Sequence, residues 1–129
     1  MTGVRGLAHA NIRAPEAMIE RLRCFYIDLI GLRQGPRPAF RSRGYWLYAG
    51  ENDVLHLTIA GPGDTEPQAT GHFNHLAFAC TDLDATRARL DAGGLAYEVD
   101  EVDEPAQVQL FLTDPCGLDI ELNFSRYPL

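Results

Sequence analysis

The chain has 129 residues, 46% of them hydrophobic and 22% charged, with a formal net charge of −7 and a pI near 4.9. Those values describe an ordinary globular chain and disfavour nucleic acid and anionic membranes as partners, because phosphate binding needs a basic surface. No apolar run is long enough to span a bilayer and the start lacks the apolar core of a signal peptide, so the expected location is the cytoplasm. Cys24, Cys80 and Cys116 are odd in number and lack CxxC spacing, which reads as three reduced thiols.

Along the chain, residues 5–13 (RGLAHANIR) read as a strand with Leu7, His9, Asn11 and Arg13 on one face. Pro15 and Glu16 begin a helix over 15–30, whose stripe is Met18, Leu22, Phe25, Tyr26 and Leu29 and whose end is Gly31. Short strands follow near 32–35, 43–49 and 53–60. The segment 61–71 (GPGDTEPQATG) has linker composition. A second strand–helix start then appears. Residues 73–80 form a strand, Thr81 or Asp82 caps a helix over 82–92, and Gly93-Gly94 stops it. Strands are expected at 95–100, 106–113 and 118–124, with a turn at 114–117.

Each half therefore reads β-α-β-β-β, with units over about 5–60 and 72–124. About 60 residues are marginal as an independent fold, so residues 1–129 are expected to form one domain. The histidines strengthen the repeat. His9 and His56 are 47 residues apart, and His75 and Glu121 are 46 apart. In 54–59, Leu55, Leu57 and Ile59 face one way and His56 the other. In 119–124, Ile120, Leu122 and Phe124 face one way and Glu121 the other, flanked by Asp119 and Asn123. The apolar faces should pack on the helices and leave the ligand faces lining a cup. Three imidazoles and a carboxylate at repeat-equivalent places form a ligand set for a divalent transition metal. His72 is three residues from His75 and points to the other face of a strand, so it reads as non-ligating.

The segments LAHANI (7–12), FYIDLIGL (25–32), VLHLT (54–58), FNHLAFACTDLDA (73–85) and LFLTDPCGLDIELNF (110–124) resemble the vicinal oxygen chelate superfamily. That group includes glyoxalase I, extradiol dioxygenases and bleomycin resistance proteins. The resemblance implies an α+β fold in which two βαβββ units pair into a curved mixed sheet around a central cavity. It also implies one divalent metal ion (Zn, Fe, Ni, Mn or Co), a small-molecule substrate and a homodimer. The family ligand positions match His9, His75 and Glu121, with His56 at the fourth, where glyoxalase I typically has glutamate. Glu121 is the expected proton-transfer residue.

Three functions follow from these expectations. The first is a metal-dependent lyase or isomerase acting on a small oxygenated substrate. The second is an Fe(II)-dependent extradiol-type dioxygenase. The third is a metal-free ligand-binding protein of the bleomycin-resistance kind, whose acidic surface suits a cationic ligand. Arg33, Arg37, Arg41 and Arg43 cluster in an acidic chain. Either they form a solvated loop, or Arg33, Arg37 and Arg43 bind a substrate carboxylate or phosphate. Tyr45 and Trp46 are candidates for an aromatic pocket wall, with core packing as the alternative.

Overall fold

A computed structural model describes residues 3–64, 66–67, 69–104 and 106–125. The chain divides into two compact units, Met1–Gln68 and Ala69–Leu129. Each contributes one four-stranded mixed sheet, which makes the protein α+β.

The first unit contains β1 (Ala10–Ala14), α1 (Glu16–Cys24), a π-helix (Phe25–Ile30), β2 (Arg33–Gly35), β3 (Gly44–Ala49) and β4 (Asn52–Ile59). Its sheet order is β1-β4-β3-β2, with β1 parallel to β4 and the other pairs antiparallel. Pro15 stands at the start of α1, where its carbonyl accepts from Ile19 N at 3.0 Å. Gly31 ends the helical segment at φ 99°, a conformation that glycine adopts without strain, and Gly31 N and Leu32 N both donate to Tyr26 O. The helix predicted over 15–30 is therefore two helical forms in series. The wider π-helix turns both Phe25 and Tyr26 inward, and the buried stripe runs Ile19, Leu22, Phe25, Tyr26, Ile30. Met18 and Leu29, expected in that stripe, are only half-buried.

α1 packs on β1 and β4. Leu47, Leu55 and Leu57 are fully buried, and Leu47 pairs with Leu55 across β3–β4. β1 starts at Ala10, later than the sequence suggests, because its pairing with β4 begins at Ala10 opposite Leu55. Leu7 before it is 86% exposed.

The second unit repeats this topology with β5 (His75–Ala79), α2 (Leu83–Ala92), β6 (Glu98–Val102), β7 (Gln107–Thr113) and β8 (Asp119–Ser125). Its order is β5-β8-β7-β6, with β5 parallel to β8. Asp82 Oδ1 accepts from Ala85 N at 3.2 Å and so caps α2. Asp82 sits at φ 62°, the one non-glycine with positive φ among the described residues. The core pairs are Leu110 with Leu122, Val108 with Phe124 and Leu112 with Ile120, all buried. The turn before β8 is tied by Asp114 Oδ1, which accepts from Cys116 N and Leu118 N at 2.9 and 3.0 Å. No helix among the described residues is long and apolar enough to cross a membrane.

Candidate metal centre

β4 and β8 hold equivalent places in their sheets, next to the parallel strand. In β1–β4, His56 lies opposite Asn11, two residues after His9. In β5–β8, Glu121 lies opposite Ala77, two residues after His75. The offset is the same in both units, so His9 corresponds to His75 and His56 to Glu121.

In the first unit, the His9 and His56 rings stack with centroids 3.7 Å apart and planes 15° apart. Trp46 pairs with His56 across β3–β4 and stacks on it at 4.1 Å and 7°. β1 and β3 flank β4, so the His56 ring lies between His9 and Trp46. At its edge, His56 Nε2 donates to Asp53 Oδ2 at 2.7 Å. This bond is the largest cause holding the Asp53 carboxyl below the usual carboxylate range. His56 is buried, and donor atoms of His9, Asp53 and His56 lie within 4.8 Å of one another.

In the second unit, His75 Nε2 is 3.6 Å from Glu121 Oε1. His75 Nδ1 donates to Asn74 Oδ1 at 2.7 Å. Glu121 is only 8% exposed, and its Oε2 accepts from Asn123 Nδ2 at 3.1 Å. A cleft of about 710 Å³ has His75, Asn74, Tyr97, Phe111, Thr113 and Asp119 in its lining.

Imidazole nitrogens with carboxylate oxygens are the donors that borderline first-row divalent ions take. The residues present in each unit fit such an ion. The structure brings His9 beside His56 and His75 beside Glu121. Asp53 and Asn74, which touch these imidazoles, were not singled out from the sequence. Their only signals were position: Asp53 three residues before His56 and Asn74 next to His75.

The other candidates have separate surroundings. Arg33 donates to Gly50 O at 2.7 Å and lies over the Tyr48 ring. Arg37 donates to Ser42 O and Oγ at 3.0 and 3.1 Å. Arg43 pairs with Glu16 at 3.3 Å. Tyr45 points to α1, where its hydroxyl donates to Glu20 and the Arg23 guanidinium lies 4.7 Å from its ring centroid. Trp46, its neighbour in sequence, is the aromatic residue that stacks on His56. Arg41 and His72 are exposed.

The chain is similar to known proteins in sequence and in fold. Over 129 aligned residues the chain is 28% identical to YaeR of Escherichia coli (strain K12), itself uncharacterized, covering 95% of this chain and 98% of that protein. It is 32% identical over 104 residues to Glyoxylase I 4 of Arabidopsis thaliana, covering 76% of this chain and 59% of that protein's length. In fold it is similar to the crystal structure of a glyoxalase family protein from Bacillus anthracis, with a TM-score of 0.75 at 22% identity and 98% and 99% of the two chains covered. Residues 6–122 match the Glyoxalase/Bleomycin resistance protein/Dioxygenase superfamily, and the chain belongs to that family.

Proposed function

We propose that this chain is a metal-dependent, glyoxalase-like lyase or isomerase. In this reading His9, His56, His75 and Glu121 are ligands of one divalent ion per chain, and the substrate is a small molecule with neighbouring oxygens. The observation that carries the reading is the shared register. Each unit places a histidine two residues before the partner of its second candidate ligand. A structural histidine needs no such repetition, whereas paired donor sets do.

A divalent ion held by these groups would supply Lewis acidity toward a substrate oxygen. The chain's own residues do the rest. Glu121 is nearly buried, and Asn123 fixes one of its oxygens. A carboxylate so placed takes a proton from the carbon beside a carbonyl and returns it to the neighbouring carbon. Hydrogen moves and no net oxidation occurs. A cleft of about 710 Å³ beside His75 falls in the size range of small-molecule sites. Trp46 is our first choice for a substrate wall, since it shares the His56 face. Arg33, Arg37 and Arg43 would have to exchange their present partners for a substrate anion, and Tyr45 its bond to Glu20. The homodimeric and cytoplasmic parts of this reading rest on the family alone.

A second reading is a ligand-binding protein. It is favoured by the cleft, whose lining includes Glu98 and Asp119 and, among the described residues, no arginine or lysine. That lining and the net charge of −7 suit a cationic ligand.

One experiment separates these readings. Untagged protein is loaded with Zn, Ni, Co or Mn, or anaerobically with Fe(II). It is then offered α-hydroxycarbonyl compounds, thiol adducts of 2-oxoaldehydes and catechols in D₂O, and followed by NMR. The proposal expects turnover with redox-inert ions and deuterium exchange at carbon. Turnover confined to Fe(II) with oxygen uptake would move the assignment to a dioxygenase. Binding of a cationic ligand with no turnover under any ion would favour the second reading.

A further inference from the structure

Each of the two best-defined candidate imidazoles has one ring nitrogen engaged by a neighbouring side chain that accepts. His56 Nε2 is engaged by Asp53 Oδ2 and His75 Nδ1 by Asn74 Oδ1, both at 2.7 Å. A neutral imidazole carries one N–H, so the ring nitrogen that donates fixes the tautomer and leaves the other as a lone-pair donor. For His56 the remaining nitrogen is Nδ1, and for His75 it is Nε2. The two histidines are thus set in opposite tautomers.

The distances agree with this assignment at His75. Its Nε2 stands 3.6 Å from Glu121 Oε1, beyond hydrogen-bond range. Two donors that share a tetrahedral ion at about 2.0–2.1 Å stand about 3.4 Å apart. The nitrogen that Asn74 leaves free is therefore the one spaced from Glu121 like a fellow ligand. At His56 the ring is also confined by stacking, with Trp46 and His9 against it. Metal-binding histidines commonly donate their second N–H to a carboxylate or carbonyl oxygen, which fixes the ring and raises its basicity.

We propose that Asp53 and Asn74 are positioning residues of the metal centre, selecting Nδ1 of His56 and Nε2 of His75 as the ligating atoms. The proposal rests on the metal reading above. Neither residue belongs to the four ligands. Asp53 is partly exposed and Asn74 exposed, so truncation of either leaves the buried core intact.

Two measurements test it. Long-range ¹H–¹⁵N correlation of the imidazoles reads the tautomer without any metal. We expect His56 to be protonated at Nε2 and His75 at Nδ1, with the assignment lost at His56 in Asp53→Ala and at His75 in Asn74→Ala. Zinc titration by calorimetry, followed in parallel by the fluorescence of Trp46, the single tryptophan, reads affinity. Each alanine variant should bind zinc about 10–100-fold more weakly than wild type. Asp53→Asn and Asn74→Asp keep an acceptor oxygen and should recover both tautomer and affinity. His56 protonated at Nδ1 or His75 protonated at Nε2 in wild type, or unchanged zinc affinity in the alanine variants, overturns the proposal and leaves the metal reading standing. Wild-type protein that takes up no zinc overturns both.

Discussion

His75 Nε2 lies 3.6 Å from Glu121 Oε1 across the parallel β5–β8 pair. Glu121 is also tied to Asn123, so its carboxylate is oriented before any substrate arrives. If Glu121 moves the proton, Glu121→Gln keeps the shape and removes the base. Turnover should fall about 10²–10⁴-fold with the far-ultraviolet circular dichroism unchanged. Wild-type turnover in this variant would assign the proton transfer to another group.

Gly44 is fixed by packing rather than by its dihedrals. It pairs with Thr58, and a Cβ there would collide with the carbonyl oxygen of Leu57. Backbone cannot swing aside as a side chain can. Gly44→Ala should therefore cost about 1–3 kcal/mol in urea denaturation. Gly61→Ala is the control, because a Cβ at 61 meets nothing within 4 Å. Equal stability of the two variants would refute the close approach of β3 and β4.

The Tyr45–Glu20 bond predicts a pH effect. The Tyr45 hydroxyl, and after it the Arg23 guanidinium, hold the Glu20 carboxyl below its usual range. The group is depressed in the folded state, so its contribution is present above the unfolded carboxylate value. It is lost as pH falls through the lowered folded value. Tyr45→Phe removes the first cause and leaves Arg23. Carboxyl ¹³C titration should show Glu20 titrating at higher pH in the variant. The stability advantage of wild type over variant should shrink as the solution is acidified. An unchanged Glu20 titration would show that the bond does not form in solution.

Strand alternation made much of this architecture legible. Leu55 and Leu57, and Leu110 with Leu122, are buried where period two places them. Residue type made the break at Gly31 visible and narrowed the helix cap to Thr81 or Asp82, of which Asp82 holds the place. The π-helix was not legible, because a 3.6-residue stripe and a widened one share most apolar positions.

At the site, the spacing of His9, His56, His75 and Glu121 was readable, but their surroundings were not. Glu121 between Asp119 and Asn123 looks like a solvated face, yet it is buried. Asp53 stayed hidden because a regular strand sends residues three apart to opposite faces. The register shift between Leu47 and Ala49 interrupts regular pairing where β4 begins, and Asp53 reaches the His56 ring there. Asn74 stayed hidden because only the choice of ring nitrogen gives it a role.

The most direct test of the metal centre is elemental mass spectrometry of untagged protein beside a His56→Ala/Glu121→Ala double variant. The account predicts about one equivalent of a transition metal per chain, lost in the variant. Wild-type protein that holds no metal, even after anaerobic incubation with Zn, Fe, Mn, Ni and Co, would contradict it and leave a ligand-binding protein in its place.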